Sequence, residues 1–199
     1  MLTVYSIGGT LTSTCGSIIH EVAHSLVFKS PLGNRLLGLL VNTTIPFPIA
    51  MSFKRYHLDH HAFQGVLGKD PDLPLDWEIN LIRGNIATKL AWLAIYPFMY
   101  VIRGIAHQKP PTRWEIINLI WTVVCDVVIY STCGGLGLLY CFLSLWLGYS
   151  LHPGAAHFIQ EHYTWIDGQE TYSYYGSMNS IMMNVGYHNE HHDFTKVTP

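Results

Sequence analysis

Residues 116–151 read IINLIWTVVCDVVIYSTCGGLGLLYCFLSLWLGYSL, and Asp126 carries the only charge in these 36 positions. A helix crosses a bilayer with about 20 apolar residues. The stretch therefore predicts a helical hairpin, with limbs of roughly 115–132 and 136–152 and a tight turn at Gly134-Gly135-Leu136-Gly137. Both ends of such a hairpin lie on one face of the membrane.

Working outward, the same bias runs through all 199 residues: 49% are hydrophobic and 12% charged, where a soluble domain has about a quarter charged. Eleven Lys plus Arg against 13 Asp plus Glu leave a net charge of −2. No dense basic stripe is available for a phosphate backbone, which excludes nucleic acid as a partner. The apolar share equally excludes a disordered chain. Cys15, Cys125, Cys133 and Cys141 form no CxxC pair and read as small core residues in a reducing setting.

Residues 2–28 are a second candidate span, weakly apolar, in which Gly8, Gly9 and Gly16 would allow close packing on other helices. The stretches 36–53, broken by Pro46 and Pro48, and 87–106, broken by Pro97, read as interfacial or re-entrant segments that do not cross. Lys29, Arg35, Lys54, Arg55, Lys69, Lys109 and Arg113 all fall between the first candidate span and the hairpin, and the hairpin turn has no basic residue. That basic face is predicted to be cytosolic. The N-terminus lacks the basic start and compact apolar run of a secretory signal. The chain thus reads as one all-α integral membrane helical bundle, a single domain over 1–199.

Eleven of the 12 histidines lie in four windows. These are His20-Glu21-Val22-Ala23-His24, His57-Leu58-Asp59-His60-His61, the stretch holding His152, His157 and His162, and His188-Asn189-Glu190-His191-His192. Residues three and four apart share a helix face, so HxxxH aims two imidazoles in one direction and each HxxHH up to three. Neutral imidazole suits Zn, Cu, Fe and Ni. A single zinc closes with four ligands, so eight or nine histidines suit two first-row ions, with iron favoured because oxygen activation needs an open site on a redox-active ion. Unpaired imidazoles packed near a membrane would otherwise be costly. His107 stands apart and reads as an ordinary polar residue.

Two other classes stay open. His20, Glu21 and His24 also satisfy HExxH, the helix of a zinc hydrolase, although that leaves both HxxHH boxes without a purpose. A non-enzymatic metal-binding or transport protein would use the clusters differently. Among the carboxylates, Glu21, Asp59, Glu161, Glu190 and Asp193 are placed to accept hydrogen bonds from ligand imidazoles, or else simply to solvate the interface. Asp126 reads as a buried interhelical partner or as a lining of the substrate path. Tyr and Trp near segment ends read as an interface belt. If the boxes meet at one centre, the second and fourth must be separated by an even number of crossings, which the hairpin supplies.

With HxxxH, HxxHH and HxxHH in this order, the chain resembles the membrane fatty-acid desaturase and hydroxylase superfamily. Longer strings resemble the sphingolipid delta-4 desaturases: Ser52 to His61, Leu151-His152-Pro153 with His157-Phe158-Ile159 and Glu161-His162-Tyr163, Glu170 to Gly176, and Asn184 to Phe194. Asp70, Asp72 and Pro74 fit the segment after the second box. The resemblance covers nearly the whole chain but the central part of a family member, so a longer protein is expected.

That resemblance implies conversion of dihydroceramide to ceramide at C4 and C5, with O2 and two electrons relayed through cytochrome b5 from its reductase. It implies an endoplasmic reticulum membrane location with the boxes facing the cytosol, and two non-haem irons. Carried over by position, His20, His24, His57, His60, His61, His188, His191 and His192 would be ligands, with His157 as a further one and His152 and His162 left undecided. No catalytic residue beyond the ligands is implied. The related C4-hydroxylase, which forms phytoceramide, shares the boxes and remains an alternative.

Overall fold

The computed structural model describes residues 1–82, 84–156, 161–162 and 166–197, and its regular elements there are all helical. A π-helical turn, Val4–Gly9, runs into α1, Thr10–His24. It is followed by α2, Pro31–Val41, and α3, Ile49–Phe63. Then come α4, Asp76–Ile82, α5, Ile86–Ala106, α6, Arg113–Gly148, and a short α7, His188–Asp193.

The helix boundaries follow local chemistry. Ser30 caps α2 by accepting from Gly33 N, with Pro31 at the first position where its missing N–H costs nothing. Thr112 and Glu115 form a reciprocal capping box at the start of α6. Helix α1 ends where Ser25 turns left-handed, at φ 62°.

A straight helix of α6's 36 residues would be about 54 Å long. Yet Trp114 and Ile117 from its start, with Leu145 and Tyr149 from its far end, pack on one core cluster that also holds Ile19, Leu39, Ile45, Ala50 and Met51. The chain therefore doubles back within α6, and the break is at Gly134, where φ is 69° and ψ is −174°. Only glycine takes that conformation without strain. The hairpin expected from the sequence is present, with its reversal at the first glycine of the anticipated turn.

Among the described residues, Arg113–Gly148 is the one helix long and apolar enough to cross a membrane, with a mean hydropathy of 1.8 over its best window. Val123, Val124, Val127, Val128, Leu136 and Leu139 are exposed on its limbs. Such a continuous apolar surface suits lipid rather than water.

Two contacts fix how the other helices meet this hairpin. The N-terminal turn lies so close to the second limb that a Cβ added to Gly148 would stand 2.7 Å from the Gly9 carbonyl oxygen. Ser13 Oγ reinforces the approach by donating to the Gly148 carbonyl at 3.0 Å. On the first limb, fully buried Asn118 accepts from Met51 N at 3.0 Å, while Asn42 accepts from Ala50 N at 2.9 Å. These N–H groups lie in the first turn of α3, where no helix carbonyl can satisfy them. Pro48 precedes the helix and offers no side-chain cap, so the two asparagines set where α3 begins and hence where its histidines point.

Candidate metal centre

Histidines from three helices and one loop converge in two groups: His20, His24, His57, His61 and His191, and beside them His60, His162, His188 and His192. The division follows from helix geometry. In α3, His57 and His61 are one turn apart and join the first group, while His60 faces the second. In α7 the pattern is mirrored: His188 and His192 join the second group and His191 the first. Both α1 histidines serve the first group, and His162 completes the second.

The first group forms a closed circuit of Nε2 atoms. His57 to His24 is 2.8 Å, His24 to His191 3.1 Å, His191 to His61 3.1 Å, and His61 to His57 3.1 Å. Each Nε2 carries either one proton or one lone pair, so at most two of these four approaches can be hydrogen bonds. Imidazole nitrogens held at about 2.1 Å from one ion, at right angles to each other, stand about 3.0 Å apart. In the second group, His188 Nε2 lies 2.9 Å from His162 Nε2. The Nε2 atoms of His20, His60 and His192 are buried with no hydrogen-bond partner.

Electrostatics point the same way. Burial, and then the neighbouring imidazoles, push His61 and His191 down to about 3. The same causes hold His57 and His188 well below the ordinary imidazole value. Such groups are neutral and offer lone pairs. His60 is the exception: burial lowers its pKa, but the hydrogen bond to Asp70 and the charges of Asp72, Asp70 and Glu161 outweigh burial and raise it. His60 Nδ1 donates to Asp70 Oδ1 at 2.8 Å, and the pair is almost wholly buried. Asp70 is itself fixed by Gly65 N and Asp72 N, each at 2.9 Å. With Nδ1 as donor, the unpartnered Nε2 is left to bind an ion. His20 repeats the device, with Nδ1 3.1 Å from Glu21 Oε1. The donor set, its burial and its unpaired nitrogens fit two first-row ions.

A cavity of about 190 Å³ reaches both groups through His20, His57, His162 and His188. Its other walls include Phe47, Ile49, Phe53, Phe98, Val101, Phe142, Leu145 and Trp146. It is a mostly apolar chamber whose wall includes imidazoles of both groups.

The fatty acid desaturase model matches residues 1–198. The chain is 43% identical to a sphingolipid delta(4)-desaturase DES1-like protein of Arabidopsis thaliana, over 97% of this chain and 58% of that protein. It is 42% identical to the sphingolipid delta(4)-desaturase DES1 of Drosophila melanogaster, over 99% of this chain and 62% of that one. It is also 41% identical to the sphingolipid delta(4)-desaturase/C4-monooxygenase DES2 of Bos taurus, over 97% of this chain and 60% of that one. The chain belongs to the fatty acid desaturase family. It spans about six-tenths of the length of these relatives. No solved structure matches it.

In this desaturase chain, eight of the nine histidines expected as ligands are brought together, and the ninth, His157, lies outside the described residues. His162 takes a place in the second group that helix spacing could not reveal, because it sits in a loop. His152 is remote from both groups: Thr10 Oγ1 is 3.3 Å from its Nε2, and Gly154 N donates to its Nδ1. His107 lies beside the Tyr56 ring, away from the site.

The expected carboxylates divide. Glu21 touches His20, and Glu161 Oε2 is 3.7 Å from His188 Nδ1. Three others need correction. Asp59 is about 200° around α3 from His57 and pairs with Lys109 instead. Glu190 is exposed and accepts from the Ser173 and Tyr175 hydroxyls. Asp193 is exposed at the end of α7. Asp70 does the work foreseen for Asp59, reaching back to His60 from the loop after α3. Asp126 is absent from the cavity lining, against the substrate-path reading.

Proposed function

We propose that this chain carries the catalytic core of a sphingolipid delta-4 desaturase, which removes one hydrogen each from C4 and C5 of dihydroceramide and yields ceramide. The observation that carries the reading is the apolar cavity ending on histidines of both groups; the names of the relatives supply the lipid class. His20, His24, His57, His61 and His191 would hold one iron, and His60, His162, His188 and His192 the other, with His157 as a further candidate. When bound, two irons supply O2 activation and the cleavage of an unactivated C–H bond, chemistry that no acid or base on the chain could perform.

The chain's own residues do the rest. Neutral imidazoles present lone pairs without releasing protons. Asp70 and Glu21 hold His60 and His20 in the tautomer that keeps Nε2 free. Phe53, Val101 and Phe142 line a path for the lipid tail, hold it in place and keep water out. The enzyme sits in the endoplasmic reticulum membrane with this face toward the cytosol, and electrons arrive from cytochrome b5 and its reductase.

The test is expression of the full-length gene product carrying this sequence in cells that lack the activity, fed with labelled dihydroceramide. Ceramide with a 4,5 double bond is expected, from a protein holding about two irons. Phytoceramide alone would make it a C4-monooxygenase. One zinc and no iron would overturn the desaturase reading in favour of the HExxH hydrolase, which leaves most of the clustered histidines idle.

A further inference from the structure

We propose that Asp72 receives the C3 hydroxyl of the sphingoid base and thereby sets which two carbons react. The inference rests on the desaturase reading above and gives the site its specificity. In that substrate the reacting C4 is bonded to the carbon that bears the hydroxyl, so one O–H donor must enter the apolar chamber with the tail. A buried donor without an acceptor is unfavourable, and the acceptor has to stand on the cavity wall beside the histidine groups.

Asp72 meets these demands. It lines the cavity, and its Oδ2 is 3.7 Å from His60 Nδ1, beside the second histidine group. Its Oδ1 is buried with no hydrogen-bond partner. Among the described residues that line the cavity, the other such atom is His20 Nε2, which belongs to the first metal group. Two serine hydroxyls on the wall are already engaged: Ser13 donates to the Gly148 carbonyl and Ser17 to the Met182 carbonyl.

The position of Asp72 is fixed in advance from both sides of its backbone. Its N–H donates to Asp70 Oδ1, and its carbonyl accepts from Arg103 Nη1 at 2.9 Å. Arg103 is in turn clamped by Glu78, through Nε at 2.8 Å and Nη2 at 2.7 Å. Glu78 is fully buried and also accepts from Trp92 Nε1. A buried ion pair of this kind is better explained by geometric definition than by stability. Here the geometry it defines is that of the loop carrying Asp72. With the hydroxyl held there, the next two carbons are the ones presented to the histidines. A plain acyl chain brings no donor and leaves Asp72 Oδ1 without one, the Tyr100 hydroxyl and His60 being the groups already beside the carboxylate.

The experiment measures binding of tritiated N-acylsphinganine and of its 3-deoxy analogue to the purified full-length protein in micelles, with iron content read in parallel. The unaltered protein should prefer the 3-hydroxy lipid by about 10- to 100-fold, the range for a hydrogen bond to a charged group. Asp72→Ala should bring the ratio near one, and Asp72→Asn, which keeps a neutral acceptor, should leave about a threefold preference. Because each value is a ratio of two ligands on one preparation, a lower folded fraction cancels. A preference that survives in Asp72→Ala, with or without loss of iron, overturns the proposal and leaves the desaturase reading standing. An unaltered protein that binds neither lipid overturns both.

Discussion

At the scale of single residues, His60 and Asp70 illustrate how much of the centre depends on what lies behind the ligands. Asp70→Asn removes the charge that orients His60, and metal affinity should fall by about 10- to 100-fold, the usual cost of losing a partner behind a ligand. Competition with a chelator of known affinity measures it; unchanged affinity would remove Asp70 from the centre. Replacing His60, His61, His191 or His192 by Ala should abolish turnover, while His107→Ala should not.

The metal-free protein should also be acid-sensitive. His61 and His191 titrate at about 3 in the fold and near 6.5 in an unfolded chain, so between these values the unfolded state binds more protons. Stability is then full above pH 6.5 and declines as pH falls toward 3. Denaturant titrations of the metal-free form at pH 7.5 and pH 5 should show it; equal midpoints would contradict the assignment. The box histidines were legible in the sequence because three- and four-residue spacing gathers them on one side of a helix, although each HxxHH divides its imidazoles between the two groups rather than aiming all three one way. His162 and Asp70 were not, because loops have no period, and Asp59 misled because proximity in sequence is not proximity on a helix.

Among the elements, α3 and α6 depend on each other. Asn118→Leu would leave the Met51 amide buried without its acceptor, at a cost of about 1–3 kcal/mol. The shift should appear as a lower Tm with histidine chemistry otherwise intact, and a Tm within error of the parent would remove Asn118 from its capping role. Gly134→Val faces a backbone conformation, φ 69° and ψ −174°, that costs a side chain about 1–3 kcal/mol. The hairpin was readable because a 36-residue apolar run is too long for one span and its glycines mark the turn. The capping asparagines were not, since a lone Asn in an apolar stretch gives no sign of which helix start it serves.

For the whole molecule, the hairpin's exposed valines and leucines predict that the protein stays with membranes after alkaline carbonate washing; release into the supernatant would contradict the lipid-facing reading. Tags placed after α3 and after α7 should be accessible from the same side, because the two boxes meet. Composition and the hydrophobic run made the all-helical membrane architecture legible. The packing of α5, by contrast, turns on Arg103 and Glu78, which are buried together and whose pairing no spacing in the sequence announces.

The adjacent pairs His60-His61 and His191-His192 each send one imidazole to either group. Consecutive Cα atoms stand about 3.8 Å apart, so two peptide units act as rulers for the separation of the two histidine groups. Loop lengths elsewhere can drift, but a single insertion at either pair would throw both histidine groups out of register at once. Loading should be cooperative for the same reason, and a chelator titration should strip the centre in one step.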